Sequence, residues 1–138
     1  MKKYAAAAVI LLAAACALTA VAGCGSSGTS ANGKTFTVTN TKISAKVGDM
    51  FIIQLKSNAT TGFQWGIVGS LNPAVVKKVS NTYVAGANPK GMAGVGGVEN
   101  WKFKAVGAGT ATLVMTYKQP LDKAAKPAET ATFTVTVK

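Results

Sequence analysis

Histidine and arginine are absent from this 138-residue sequence, and acidic residues are nearly so. Without histidine, the chain alone can assemble no serine–histidine–aspartate triad, no cysteine–histidine dyad and no imidazole-ligated metal site. The acids are only Asp49, Glu99, Asp122 and Glu129. They are scattered along the sequence, which argues against a carboxylate pair for glycoside or acid–base chemistry. Both cysteines, Cys16 and Cys24, lie close to the N-terminus, so the rest of the chain has no thiol nucleophile and no disulfide. No metal and no cofactor is expected, and the composition points away from an enzyme. Lysine, by contrast, is abundant: 15 lysines against 4 acids give a formal charge of +11 at pH 7. Spread evenly and unaccompanied by arginine, they read as solvated outer faces of strands, and no nucleic-acid partner is expected.

One long apolar run exists, over residues 4–22, between Met1-Lys2-Lys3 and Gly23-Cys24-Gly25-Ser26-Ser27. Basic, then apolar, then small is the layout of a secretory signal. A membrane-spanning anchor is the alternative, since about 19 apolar residues can just cross a bilayer. The run is mostly alanine, however, and its small residues lead directly into a cysteine. Val21-Ala22-Gly23-Cys24 resembles the bacterial lipobox, in which the cysteine is acylated and becomes the new N-terminus. That resemblance implies a signal peptide over residues 1–23, lost together with Cys16, and a lipid on Cys24. One acyl chain anchors only marginally, and such lipoproteins carry two or three. Gly25 stands where an inner-membrane retention signal would have Asp, which favours the outer membrane in a cell with two membranes. Residues 24–33, rich in Ser, Gly, Thr and Asn, read as a flexible tether. Residues 34–138 are then a single exported domain, placed in the periplasm or at the cell surface.

Period-two alternation dominates that domain. Phe36 and Val38 alternate with threonines; Phe51, Ile53 and Leu55 alternate with Ile52, Gln54 and Lys56. Trp101, Phe103 and Ala105 do so with Asn100, Lys102 and Lys104, and the runs at Ala111–Tyr117 and Ala131–Val137 repeat the pattern against Thr. Each places apolar side chains on one face, as a half-buried strand requires. Further strands are predicted over residues 43–46, 63–68, 75–80 and 82–84. No stretch beyond the signal carries a 3.6-residue stripe. Seven or eight short strands separated by Gly, Pro and Asn turns predict an all-β, immunoglobulin-like, two-sheet antiparallel sandwich, with a closed barrel as the alternative. The predicted core comprises Phe36, Val38, Phe51, Ile53, Leu55, Trp65, Trp101, Phe103, Leu113, Met115, Phe133 and Val135.

Three connections exceed what a turn needs. The first is Asn58-Ala59-Thr60-Thr61-Gly62-Phe63, in which Asn and Gly suit positive φ and the threonines can cap free backbone groups. The second spans residues 85–97 and holds five glycines; so long a loop in a compact domain is usually functional or disordered. Gly96-Gly97 before a strong strand suggests backbone placed for close approach to a partner. The third is Gln119-Pro120-Leu121 after Tyr117, stiffened by proline with an apolar tip.

Order and spacing of these loops resemble the chagasin family of cysteine-peptidase inhibitors, over about residues 35–138. Loop one matches that family's Asn-Pro-Thr-Thr-Gly-aromatic pattern except at Ala59. Gly94-Val95-Gly96-Gly97 with Trp101 matches its Gly-x-Gly-Gly loop and following Trp. Tyr117-Lys118-Gln119-Pro120-Leu121 keeps the aromatic and the Pro of its third loop but has Gln119 for Arg and Leu121 for an aromatic. The resemblance implies a reversible inhibitor whose three loops form a wedge in the cleft of a papain-like cysteine peptidase. Thr60, Thr61 and Gly62 would lie near the catalytic thiol, Gly96 and Gly97 would offer main-chain hydrogen bonds, and Pro120 and Leu121 would touch the other flank. The implied partners are that peptidase and, through Cys24, a membrane; the chain is expected to act as a monomer. A membrane-tethered immunoglobulin-like binding or structural lipoprotein of the envelope is the alternative.

Overall fold

Eight strands account for the alternating runs. In the computed structural model, which describes residues 32–138, they are β1 (Thr35–Phe36), β2 (Lys42–Ala45), β3 (Met50–Ser57), β4 (Gln64–Val68), β5 (Val76–Ala85), β6 (Gly97–Ala105), β7 (Gly109–Lys118) and β8 (Glu129–Val137). The proposed signal and Cys24 lie outside the described residues. One sheet has the order β1-β3-β6-β5 and the other β2-β8-β7-β4. Alternate side chains of both sheets meet between them: Phe51, Ile53, Leu55 and Phe103 from the first face Leu113, Met115, Phe133 and Val135 from the second, all fully buried. Phe51 stacks on Phe103 with ring centroids 5.7 Å apart, and Phe36 meets Phe51 edge-on at 6.1 Å. With no cysteine in the domain, apolar packing joins the sheets, helped by a few hydrogen bonds at one end.

The architecture is the expected sandwich, with differences of detail. Most neighbours are antiparallel, but β1 runs parallel to β3 and β2 parallel to β8. One N-terminal segment supplies both edges: β1 closes the first sheet, the chain crosses over, and β2 closes the second. Val38 falls in that crossing, inside the turn in which the Asn40 amide donates to the Thr37 carbonyl, and is 52% exposed instead of core. Ile43, Ala45, Val75, Val76, Ala105, Ala111, Ala131 and Val137 complete the core. The two strands predicted over residues 75–84 are one, β5, interrupted by a bulge where the register slips between Lys78 and Ser80. An extra residue there shifts the alternation from one face to the other, which is why the run looks like two.

Three connections gather at one end of the sandwich: that after β3, that between β5 and β6, and that after β7. Ser57, Gly97 and Ala85 lie side by side there, as do Gln64 and Lys118. At the opposite end the Gly48 amide bonds the Ala105 carbonyl at 2.8 Å, and the Lys138 amide bonds Ala45 at 3.0 Å. The described chain enters the domain at that opposite end, where the Gly33 amide donates to the Met50 carbonyl and the Met50 amide donates to Asn32 Oδ1.

Candidate functional site: three joined loops

Loop one is shaped by Asn58. Its backbone is extended (φ −130°), not left-handed as anticipated, and it acts through its side chain. Asn58 Oδ1 accepts from the Thr60 amide at 3.1 Å and the Thr60 hydroxyl at 2.6 Å, capping a 3₁₀ turn over Ala59–Thr61. Thr61 Oγ1 donates back to the Asn58 carbonyl at 2.7 Å. Gly62, at φ 74°, then reverses the chain in a left-handed conformation that costs glycine nothing and other residues about 1–2 kcal/mol. Thr60, Thr61 and Gly62 are exposed on the crest.

The neighbouring loops are tied to this one. Asn58 Nδ2 donates to the Gly94 carbonyl of loop two at 3.1 Å. The Asn58 amide donates to the Tyr117 hydroxyl at 2.8 Å, just before loop three. Gln119 Nε2 reaches the Thr61 carbonyl at 3.4 Å. Loop two, residues 86–96, is pinched at its base by a bond from the Gly86 amide to Gly96 at 2.9 Å, and folded over at its tip by Asn88, whose side chain bonds both the amide and the carbonyl of Met92. Pro120 and Leu121 stand out in solvent, Leu121 being 97% exposed.

Gly97, anticipated at the binding surface, and Trp101, matched with the loop-two motif and also predicted in the core, both serve from within. Trp101 lies on β6 and is 4% exposed, so its ring supports the loops and cannot touch a partner. Gly97 is a strand residue paired on both sides, and a Cβ there would come within 2.2 Å of the Val84 carbonyl oxygen and 2.8 Å of the Tyr83 ring. The close approach that demands glycine at 97 is to this chain's own backbone. Phe63 is half-buried and packs on Tyr117 at 5.3 Å, as does Trp65, whose Nε1 donates to the Lys56 carbonyl at 2.8 Å. The crest of the site is thus Ala59, Thr60, Thr61, Gly62, Gly94, Gly96, Gln119, Pro120 and Leu121.

Sequence reasoning passed over Glu99. It is 5% exposed and accepts four hydrogen bonds: from Ser57 Oγ (2.8 Å) and the Trp65 amide (3.1 Å) on Oε1, and from Asn81 Nδ2 (3.3 Å) and Trp101 Nε1 (3.1 Å) on Oε2. The signal was in the alternation, since Glu99 shares its phase with Trp101, Phe103 and Ala105. Among the described residues no group of acids and sulfurs is arranged to hold a metal ion.

A family profile described as Chagasin family peptidase inhibitor I42 matches residues 44–137, two-thirds of the chain. The chain belongs to the chagasin family. It is an inhibitor and not an enzyme. Amoebiasin-2 of Entamoeba histolytica is 28% identical over 90 residues, spanning 65% of this chain and 72% of that protein. The crystal structure of the cysteine protease inhibitor EhICP2 from the same organism superposes with a TM-score of 0.66 at 24% identity, covering 76% of this chain and 95% of that one. PbICP-C, solved in complex with falcipain-2, has a TM-score of 0.50 at 19% identity, over 79% of this chain and 93% of its own. These two structures share the fold.

Within the chagasin pattern, Ala59 is a departure with a definite consequence for stability. It opens the 3₁₀ turn, where a proline's fixed φ fits and its missing N–H is no loss. Asn58 before it is extended, as a residue preceding proline prefers. Ala59→Pro is therefore expected to raise stability by about 0.4–1 kcal/mol, measured by chemical denaturation. A loss of stability would show that the turn is not as described.

Proposed function

We propose that this chain inhibits papain-like cysteine peptidases reversibly, by inserting the three-loop crest into the active-site cleft as a wedge. The observation that carries the reading is the bonding of the loops to one another, Asn58 to Gly94 and Gln119 to Thr61, on a rigid sandwich. Loops ordered before binding lose little freedom on binding, which is what a tight inhibitor needs. Thr60, Thr61 and Gly62 approach the thiol deepest. Their peptide groups are locked in a helical turn, which does not present the extended backbone a peptidase cleaves. Loop two adds main-chain groups along the cleft, and Pro120 with Leu121 rests on the opposite wall. The inhibitor acts as a monomer. Titrating papain with the purified protein tests this: stoichiometric loss of activity, recovered intact on dissociation, is expected. An inert or steadily cleaved protein refutes it, and leaves a tethered binding lipoprotein of the envelope as the reading to pursue.

The same proposal includes export and anchoring through an acylated Cys24, supported by Val21-Ala22-Gly23-Cys24. An anchor there suits the domain, whose junction with the tether lies at the end away from the loops and leaves them facing outward. Intact-mass measurement of membrane-purified protein is expected to show loss of residues 1–23 and added acyl mass. A retained N-terminus or a free Cys24 thiol contradicts it.

A further inference from the structure

Loop one has no packed floor. Between it and β5 lies a cleft of about 180 Å³ lined by Ser57, Ala59, Phe63, Asn81, Tyr83 and Glu99. Besides its bonds to Tyr117 and the neighbouring loops, its position depends on its two stems, and both stems end on one atom: Ser57 Oγ, next to Asn58, and the Trp65 amide, two residues beyond Phe63, each donate to Glu99 Oε1. The stems belong to different sheets, Ser57 to the first and Trp65 to the second. Glu99 Oε2 holds Asn81 of β5 and Trp101 of β6, the hairpin that carries loop two. All four partners are neutral, so the carboxylate is buried by hydrogen bonds alone and all of its accepting capacity is used. Charge-assisted bonds of this kind are stronger than neutral ones and fix direction.

We infer that Glu99 is the positioning residue of the inhibitor: its carboxylate fixes loop one against loop two and so sets the width of the wedge. This rests on the inhibitory reading above but concerns a residue that never meets the peptidase. Glu99→Gln keeps the volume and replaces one accepting oxygen by a donor. Ser57 can turn its hydroxyl and Asn81 can exchange its amide ends, but the Trp65 amide and Trp101 Nε1–H can only donate. Whichever way the new amide is placed, its NH₂ faces one of them.

The test compares wild type, Glu99→Gln and Val137→Ala, a core variant at the far end, at a temperature where all are folded. Papain inhibition is titrated, and hydrogen exchange is followed at the Asn58 and Gly86 amides, one in each loop. Glu99→Gln is expected to weaken inhibition about tenfold or more and to speed both exchanges similarly. Val137→Ala is expected to lower the melting temperature and change neither. Wild-type inhibition by Glu99→Gln overturns the inference, even if exchange quickens, because the carboxylate then only stabilises. If Glu99→Gln does not fold, Asn81→Ala and Ser57→Ala, each removing one donor, carry the same comparison. A wild type that leaves papain active fails the inhibitory reading instead, and the exchange rates then decide whether Glu99 couples the loops.

Discussion

Trp101→Ala is expected to lower the unfolding free energy by about 3–5 kcal/mol, the range for truncating a packed aromatic. Trp101 is buried between Ile53 on β3 and Asn81 on β5, at the centre of the first sheet. Truncation opens a cavity beneath paired strands, which close over it only in part. It also removes the Nε1 donor to Glu99 and leaves a buried carboxylate one bond short, which adds to the cost. A domain of this size has roughly 5–15 kcal/mol in all, so the variant sits near the edge of folding. Trp101→Phe separates the two contributions: it keeps most of the packing and loses only the donor, at about 1–3 kcal/mol. Urea denaturation of the three proteins checks both values. A Trp101→Ala loss below about 1 kcal/mol is what an exposed surface residue would give, and would rule out the buried position.

Much of this fold can be read from period two because the central strands are long and face the core on one side only. Phe51-Ile53-Leu55, Trp101-Phe103 and Phe133-Val135 alternate against mostly polar residues over enough length to fix which face is inward, and the structure buries all of them. The edges were harder for the same reason in reverse. Two paired residues in β1 are too few to show where alternation stops, so Val38 looked like a continuation of Phe36. Parallel pairing of β1 and β2 follows from a crossing between sheets, which no local pattern encodes. At the site, loop identities were legible from Asn, Gly and Pro, whose backbone chemistry is local. The partition between crest and support was not. Gly97 belongs with loop two in sequence, yet a glycine paired on both sides is required by its neighbours, whereas the burial of Trp101 does follow from its phase on an alternating strand. Glu99 was hidden by its charge, since a carboxylate is ordinarily read as solvated, and only its phase and its four donors explain its burial.

The crest itself is tested by Thr61→Ala combined with Gly62→Glu, which is expected to weaken inhibition by about a hundredfold or more. Contacts at the centre of an interface dominate its energy, and an unpaired carboxylate buried there costs on the order of 3–5 kcal/mol. The backbone complicates the reading, because Gly62 is left-handed and any side chain there carries strain. Thr61→Ala also removes the bond from its hydroxyl to the Asn58 carbonyl. Thr61→Ala with Gly62→Ala shares both losses and lacks the long charged side chain, so it should melt with the glutamate variant and inhibit far better. Both are expected to melt together, on the order of 5–15 °C below wild type, since the left-handed strain and the lost bond are common to the two. Charge reversal at Lys138, at the opposite end, supplies the remaining control and should leave inhibition unchanged. Equal inhibition by the alanine and glutamate pairs would mean that no peptidase surface closes over Gly62, and the loop would then have to act at the rim of the complex and not at its centre.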